Sequence, residues 1–373
     1  MHTLIEAEKI AVVPEVSVII PARNEEASLA TCLESVISQT ELPFEFIVVD
    51  DHSTDRTREI TESFAPKDSR LRVIEAGPLP DGWTGKNNAV TTGARAARGQ
   101  WLLFTDADTI HLPGSLARAL AEAEEHHVDI LSYSPEQIAV TFWEMAVLPV
   151  VFAELARQYP PSKVSDPNSP IAAANGQYIL IRRTAYDAIG GHTAVASEIL
   201  EDVALAHAFK ASGHKIRFRY AADAVRTRMY RNFAQLREGW TKNLALLFPN
   251  PGELAAKTCL WWAFPFANFL ALFVLPAVFR HVWWFVPGML VLSRNGSRLR
   301  QANFDVAMEF LGVFFGMPMF AYLLLRSKRM HGKGSVPWKG RTYSAAPPAN
   351  QNEDQRSKLK IAAHSPKAAQ RLS

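Results

Sequence analysis

The run Trp101-Leu102-Leu103-Phe104-Thr105-Asp106-Ala107-Asp108 constrains this chain more than any other stretch. Its apolar, aromatic first half reads as a buried strand, and it stops at two carboxylates separated by one residue. Open α/β sheets place ligand-binding residues at the carboxyl ends of parallel strands. Two acidic side chains at this spacing suit a hard divalent cation, Mg2+ or Mn2+, shared with substrate phosphates. A strand running into a solvated acidic turn is the plain alternative.

The flanking sequence repeats the pattern. Val16–Ile20, Phe44–Val49 and Leu71–Ile74 read as strands, with helical apolar stripes over Leu29–Ile37 and Thr54–Phe64. Lys86–Arg98 is an Ala-rich helix with a small face. Strands alternating with helices predict an α/β fold with a mostly parallel sheet built from right-handed crossovers. Further along, Pro113–His126 reads as a helix, Val128–Tyr133 as a strand, and Phe142–Tyr159 as an apolar helix broken at Pro149. That helix suits either a membrane interface or a core. Tyr178–Ile181, Lys215–Tyr220 and Ala224–Tyr230 read as strands, and Ile199–Ser212 and Phe233–Leu247 as helices.

The C-terminal third differs. Cys259–Phe279 contains no charged residue, is long enough to span a bilayer, and has paired tryptophans near both ends. Val282–Leu292 is apolar but short, and Phe310–Leu325 reaches a full span only by including Asp305 and Glu309. Two or three crossings are expected. From Arg326 to Ser373 there are 11 Lys/Arg against 2 Asp/Glu, a charge of about +9, which leaves about −6 on residues 1–325 of a chain whose formal charge is +3. A basic end behind an apolar region points to an anionic membrane surface rather than nucleic acid. Cys32 and Cys259 make no disulfide framework or zinc spacing, as suits a reducing compartment. Met1–Glu15 lacks an apolar core, so no signal peptide is expected. The expected organisation is an extension over 1–15, an α/β domain over 16–250, an apolar region over 255–327 and a basic, disordered tail over 328–373.

Other acidic and basic positions fall at predicted strand ends and helix starts. Pro21, Arg23, Glu25, Asp50 and Asp51 lie at or just past the ends of the first two strands; acidic groups there either accept hydrogen bonds from a nucleoside or cap helices. Gly82-Trp83-Thr84-Gly85-Lys86-Asn87-Asn88 opens a helix and suits a diphosphate, though its spacing is not that of a P-loop. Glu201-Asp202 opens another helix, where one carboxylate could take a proton from a hydroxyl or merely complement the helix dipole. Asn175-Gly176-Gln177 precedes a strand. Arg217, Arg219, Arg226, Arg228 and Arg231 form either an anion site or a solvated basic face, and His207 and His214 read as surface or packing residues.

Taken in order, Val18–Glu25, Asp50–Thr57, Asp106-Ala107-Asp108 and Glu201-Asp202 resemble the motif set of family 2 glycosyltransferases, over roughly Val16–Leu247. The resemblance implies a GT-A (nucleotide-diphospho-sugar transferase) fold followed by transmembrane helices. It implies that Pro21, Arg23, Glu25, Asp50, Asp51, Lys86, Asn88 and Asp106 bind a nucleotide-sugar donor, that Asp106 and Asp108 hold a divalent metal, and that Asp202 with Glu201 is catalytic in an inverting transfer. Asn175, Gly176 and Trp240 are expected near the acceptor. Gly82–Lys86, Arg228-Met229-Tyr230, Gly239-Trp240 and Trp338–Arg341 are similar to a membrane-attached branch that includes hopanoid-associated and carotenoid glycosyltransferases. That branch implies a membrane lipid acceptor, a bilayer partner, a multi-pass cell-membrane location with the catalytic domain in the cytoplasm, and no nucleic acid. UDP is the family's commonest carrier. Two features depart from the family: no apolar span precedes Val16, and Gln235–Trp240 lacks the arginine of processive synthases, which argues against polymer synthesis. Transfer to a polyprenyl phosphate and a catalytically silent scaffold stay open as alternatives.

Overall fold

The computed structural model describes residues 13–274, 286–291, 293, 304, 306–338 and 340–344. In chain order the elements begin β1 (Val16–Ala22), α1 (Leu29–Ile37), β2 (Phe44–Asp50), α2 (Thr57–Phe64), β3 (Leu71–Glu75), α3 (Gly85–Ala96), β4 (Trp101–Phe104), β5 (Thr109–His111), α4 (Ser115–Glu125) and β6 (Ile130–Ser134). They continue with β7 (Glu136–Gln137), α5 (Phe142–Gln158), α6 (Pro161–Val164), β8 (Ile179–Arg182), α7 (Arg183–Ala188), α8 (Glu201–Ala211), β9 (Ile216–Tyr220) and β10 (Val225–Thr227). The last are α9 (Phe233–Leu247), α10 (Pro251–Val274), α11 (Val306–Leu311), α12 (Met317–His331), β11 (Ser335–Trp338) and β12 (Arg341–Ser344).

The chain divides into two compact units, and both are discontinuous. The first joins the chain up to Pro135 with Ser165–Thr227; the second joins Glu136–Val164 with the chain from Arg228. Residues 136–164 and 228–250, placed in the α/β domain by sequence, thus group with the apolar helices.

The first unit is built on a seven-stranded sheet in the order β3-β2-β1-β4-β8-β6-β9. Only β8 runs antiparallel to its neighbours, β4 and β6. The central strands are apolar because both faces are covered: β2 is buried at every position and β1 at all but Pro21. Helix α3 lies close against this sheet because Gly93 has no side chain. A Cβ there would stand 2.5 Å from Ile19 Cγ2 and 3.0 Å from Val49 Cγ2. Gly93→Ala is therefore expected to destabilise the fold by about 1–3 kcal/mol through overpacking, less the roughly 1 kcal/mol that alanine gains in a helix. Urea unfolding followed by circular dichroism measures it, and an unchanged midpoint would mean that the contact yields freely.

In the second unit, α5 opens with a reciprocal cap in which Thr141 and Glu144 satisfy each other's backbone N–H groups. The helix runs through Pro149 rather than breaking there, and Ala146–Ala153 is buried throughout, so it packs as a core helix of this unit. Polar bonds join the other helices: Ser327 Oγ donates to Thr241 O at 2.6 Å and accepts from Ala245 N at 2.8 Å. Among the described residues one helix, 307–331, is long and apolar enough to cross a membrane, and 44% of its most apolar stretch is buried within the protein. It includes Glu309 and extends towards the basic end of the chain; Asp305 lies outside the described residues. Two or three crossings are thus not matched by the described residues. The expected span Cys259–Phe279 runs beyond them after residue 274, and of Val282–Leu292 only 286–291 is described.

Candidate active site

The loops after β1 and β2 are laced together at the carboxyl edge of the sheet. In-register pairing sets Ala22 opposite Asp50, and Asp51 N donates to Ala22 O at 2.8 Å. Glu25 N donates to Thr57 Oγ1 (2.7 Å), Thr54 N to Asn24 Oδ1 (2.8 Å) and Glu26 N to Asp55 Oδ2 (3.1 Å). Arg23 reaches across to the Asp51 carbonyl at 2.6 Å. Asn24 and His52 both adopt the left-handed region, with φ of 53° and 54°, which asparagine tolerates well. Asp50 and Asp51 are buried, and Asp50 Oδ1 accepts from Ser53 N. Asp55 Oδ1 accepts from Thr57 N and Thr57 Oγ1 at the start of α2, so part of this acidic run is structural.

A second cluster gathers around Lys86. Its Nζ lies 2.8 Å from Asp106 Oδ1 and 2.7 Å from Glu201 Oε1. Thr84 caps α3, accepting from Asn87 N, and the Asn87 amide reaches the carbonyls of Val195, Ala196 and Glu198. The lysine loop is thereby tied to the end of the 3-10 turn Gly191–Val195 and the residues just after it. Asp202, beside Glu201 at the start of α8, receives Gly176 N–H on Oδ2 at 2.9 Å. Gly176 keeps the centre open: a Cβ there would stand 3.1 Å from Lys86 Nζ and 3.4 Å from both Asp202 Oδ2 and Glu201 Oε1.

Charge is unevenly settled here. Desolvation opposes the Lys86 ammonium, yet Asp106 and Glu201 outweigh it and hold its pKa well above the ordinary lysine value. Desolvation, reinforced by the Glu201 charge, pushes Asp202 up to about 6. One carboxyl poised near neutrality next to a firmly charged lysine is an arrangement suited to proton removal beside an anion.

The described residues contain no group of three or more His, Cys, Asp or Glu able to hold a metal by themselves. Asp106 and Asp108 offer carboxylate oxygens of the kind taken by a hard cation that keeps waters and shares substrate phosphates, and in this structure Lys86 Nζ stands 2.8 Å from Asp106 Oδ1.

Of the remaining expected residues, Pro21 is the penultimate residue of β1. Asn88 is buried and donates to Gly77 O at 2.8 Å, bracing its own loop. Asn175 accepts from Gln177 N on Oδ1 and turns the chain into β8. Trp240 is buried in the second unit, against Phe152 and Tyr230. Three of the five arginines read as an anion site or a solvated basic face are paired with carboxylates. Arg217 and Arg219 pair with Glu122, and Arg228 pairs with the buried Glu144. His214 packs on Phe209 and bonds Asp129. Sequence reasoning overlooked Gln177, Thr105, Thr109 and Thr227, which sit behind the carboxylates; no local pattern singles out such residues.

Residues 17–190 match the model of the family described as glycosyl transferase family 2. The protein is 29% identical, over 352 residues covering 88% of each chain, to 4,4'-diaponeurosporenoate glycosyltransferase of Staphylococcus aureus strain MRSA252. The protein of that name in strain USA300 is 28% identical over the same length. Among solved structures, similarity extends to a mannosyltransferase of Pyrobaculum calidifontis in complex with GDP-Man and Mn2+ (TM-score 0.47, 16% identity, 85% of this chain and 86% of that one). It also extends to residues 1–349 of Staphylococcus aureus TarS in complex with UDP-GlcNAc (TM-score 0.40, 17% identity, 82% and 90%). The protein is a glycosyltransferase.

Proposed function

We propose that this enzyme moves a sugar from a nucleoside-diphosphate donor to a hydroxyl of an apolar lipid at a membrane, with inversion at the anomeric carbon. The observation that carries the reading is Asp202, oriented by Gly176 N–H and raised to about 6 beside Lys86 and Glu201. Such a carboxylate takes the acceptor proton as the oxygen attacks the anomeric carbon. The Asp50 and Asp51 loop receives the nucleoside, and Lys86 stabilises the departing diphosphate. A divalent ion held by Asp106 and Asp108 would supply further positive charge to that leaving group. The lipid acceptor is supported by the similarity to an enzyme named for a carotenoid acid, and by the apolar helix 307–331 ending in basic residues. A cell-membrane location with the catalytic unit in the cytoplasm belongs to the same proposal.

That relative's name favours a second reading, in which the acceptor is a carboxylate. An acceptor already ionised, carboxylate or polyprenyl phosphate, needs no strong base. Turnover by Asp202→Asn with an ionised acceptor, but not with a hydroxyl acceptor, separates the two readings.

Donor class is tested by thermal unfolding of the detergent-held protein with nucleoside diphosphates, each with and without Mn2+. A nucleotide at about 100 times its dissociation constant is expected to stabilise the fold by roughly 2.7 kcal/mol. Stabilisation by UDP or GDP that depends on the metal supports the donor and metal assignments together. No stabilisation by any nucleotide would overturn both.

A further inference from the structure

Behind the two catalytic segments lies a buried chain of hydrogen bonds that no substrate atom needs to touch. Gln177 is next in the chain after Gly176, whose N–H holds Asp202. The Gln177 carbonyl accepts from Thr105 Oγ1 at 2.8 Å and from Thr109 Oγ1 at 3.3 Å, the residues that flank the Asp106–Asp108 loop. Its side-chain amide donates to Thr227 Oγ1 at 3.2 Å, and Thr227 Oγ1 donates in turn to the Asp108 carbonyl at 3.2 Å. Gln177 is 6% exposed and Thr227 is fully buried.

The direction of these bonds is determined by proton count. A hydroxyl has one proton. Thr227 gives its proton to the Asp108 carbonyl, so the lone pair is what receives the Gln177 amide. Thr105 likewise gives its proton to Gln177 O, so His111 Nε2, 3.2 Å away, must be the donor in that contact. Burial holds His111 neutral, with its pKa lowered to about 4, so it serves as a fixed donor at physiological pH. Every polar atom named in the chain then has its partner, and such fully satisfied buried networks specify one geometry.

We infer that Gln177, acting through Thr227, is a positioning residue that sets the Asp106–Asp108 loop and the Asp202 turn in register with one another. The inference rests on the reading of Asp202 as the base and of Asp106 and Asp108 as the donor carboxylates. Neither Gln177 nor Thr227 is assigned contact with substrate; their effect passes through the backbone of Asp108 and of Gly176. A displacement of about 1 Å at a reacting centre can cost on the order of 100-fold in rate.

The test compares Thr227→Val, Thr227→Ser and Gln177→Met with the parent and with Asp202→Asn, measuring kcat per folded enzyme and the unfolding temperature. Valine keeps the shape of threonine and removes the hydroxyl. Thr227→Val and Gln177→Met are each expected to lower kcat about 10- to 100-fold, with serine at 227 restoring most of it. Because the two substitutions break the same link, their combination is expected to be little worse than the poorer single variant. If Thr227→Val fails to fold, Gln177→Met carries the test alone. Unchanged kcat per folded enzyme, or a loss that tracks only the folded fraction, overturns the inference. Should Asp202→Asn also keep turnover on a hydroxyl acceptor, it is the reading of the base that falls instead.

Discussion

Asp202→Asn is expected to lower turnover on a hydroxyl acceptor by about 100- to 10,000-fold, the usual contribution of a positioned general base. Asparagine can still accept Gly176 N–H through its amide oxygen, so the turn is kept and only proton removal is lost. In the parent enzyme the base works only when deprotonated. Activity is therefore expected to rise with pH through about 6 and then level off, and that acid limb is expected to vanish in the variant. Stability takes the opposite course. A carboxyl raised from 3.8 to about 6 binds more protons folded than unfolded between those values, so the parent loses stability as pH climbs through that window. The asparagine variant carries no such loss and is expected to unfold at an equal or higher temperature at neutral pH. Full turnover with a retained acid limb would show that another group is the base.

Lys86→Met is expected to be the other severe change. The ammonium stands between Asp106 and Glu201, and its charge also draws the pKa of Asp202 downward. Without it, three carboxylates share one pocket, and the acid limb of the pH profile is expected to move above 6. Breaking a fully buried pair costs about 3–5 kcal/mol, but Lys86 is 36% exposed and solvent screens part of the interaction, so a loss of about 1–3 kcal/mol is expected. On catalysis, removing one preorganised cation from a leaving group is expected to lower kcat/KM about 100- to 1,000-fold. Lys86→Arg is not a neutral control, because a planar fork does not replace a compact ammonium between two carboxylates. Steady-state kinetics across pH 5 to 8, with thermal unfolding of the same samples, measure all three effects. A variant with unchanged kcat/KM would remove Lys86 from the leaving-group side of the reaction.

Much of the site was legible in the chain because it lies at strand ends. Hydrophobic runs of strand length mark where β1, β2 and β4 stop, and the loops leaving parallel strands collect at one edge of the sheet. Asp50, Asp51, Asp106 and the lysine loop could therefore be named from local pattern alone. The helix start at Glu201-Asp202 was equally visible, as was the apolar, basic-ended C-terminal helix.

Contacts between distant residues were not legible. Gly176 N–H meets Asp202 across 26 positions, and the Asn87 amide meets Ala196 across 109. Arg217, read as a possible anion ligand, is neutralised by Glu122 from 95 positions earlier. The Gln177 and Thr227 chain has no signature of its own, since buried threonines and glutamines obey no period. The two discontinuous units were hidden for the same reason: residues 136–164 leave the α/β sheet and group with helices encoded a hundred residues later. Periodicity and turn chemistry act over a few residues, and so the sequence by itself determined the sheet, its acidic edge and the residue types of the site. Which of those residues face one another, and which arginines are already paired, depends on long-range packing and buried hydrogen bonds, and only the tertiary structure decided it.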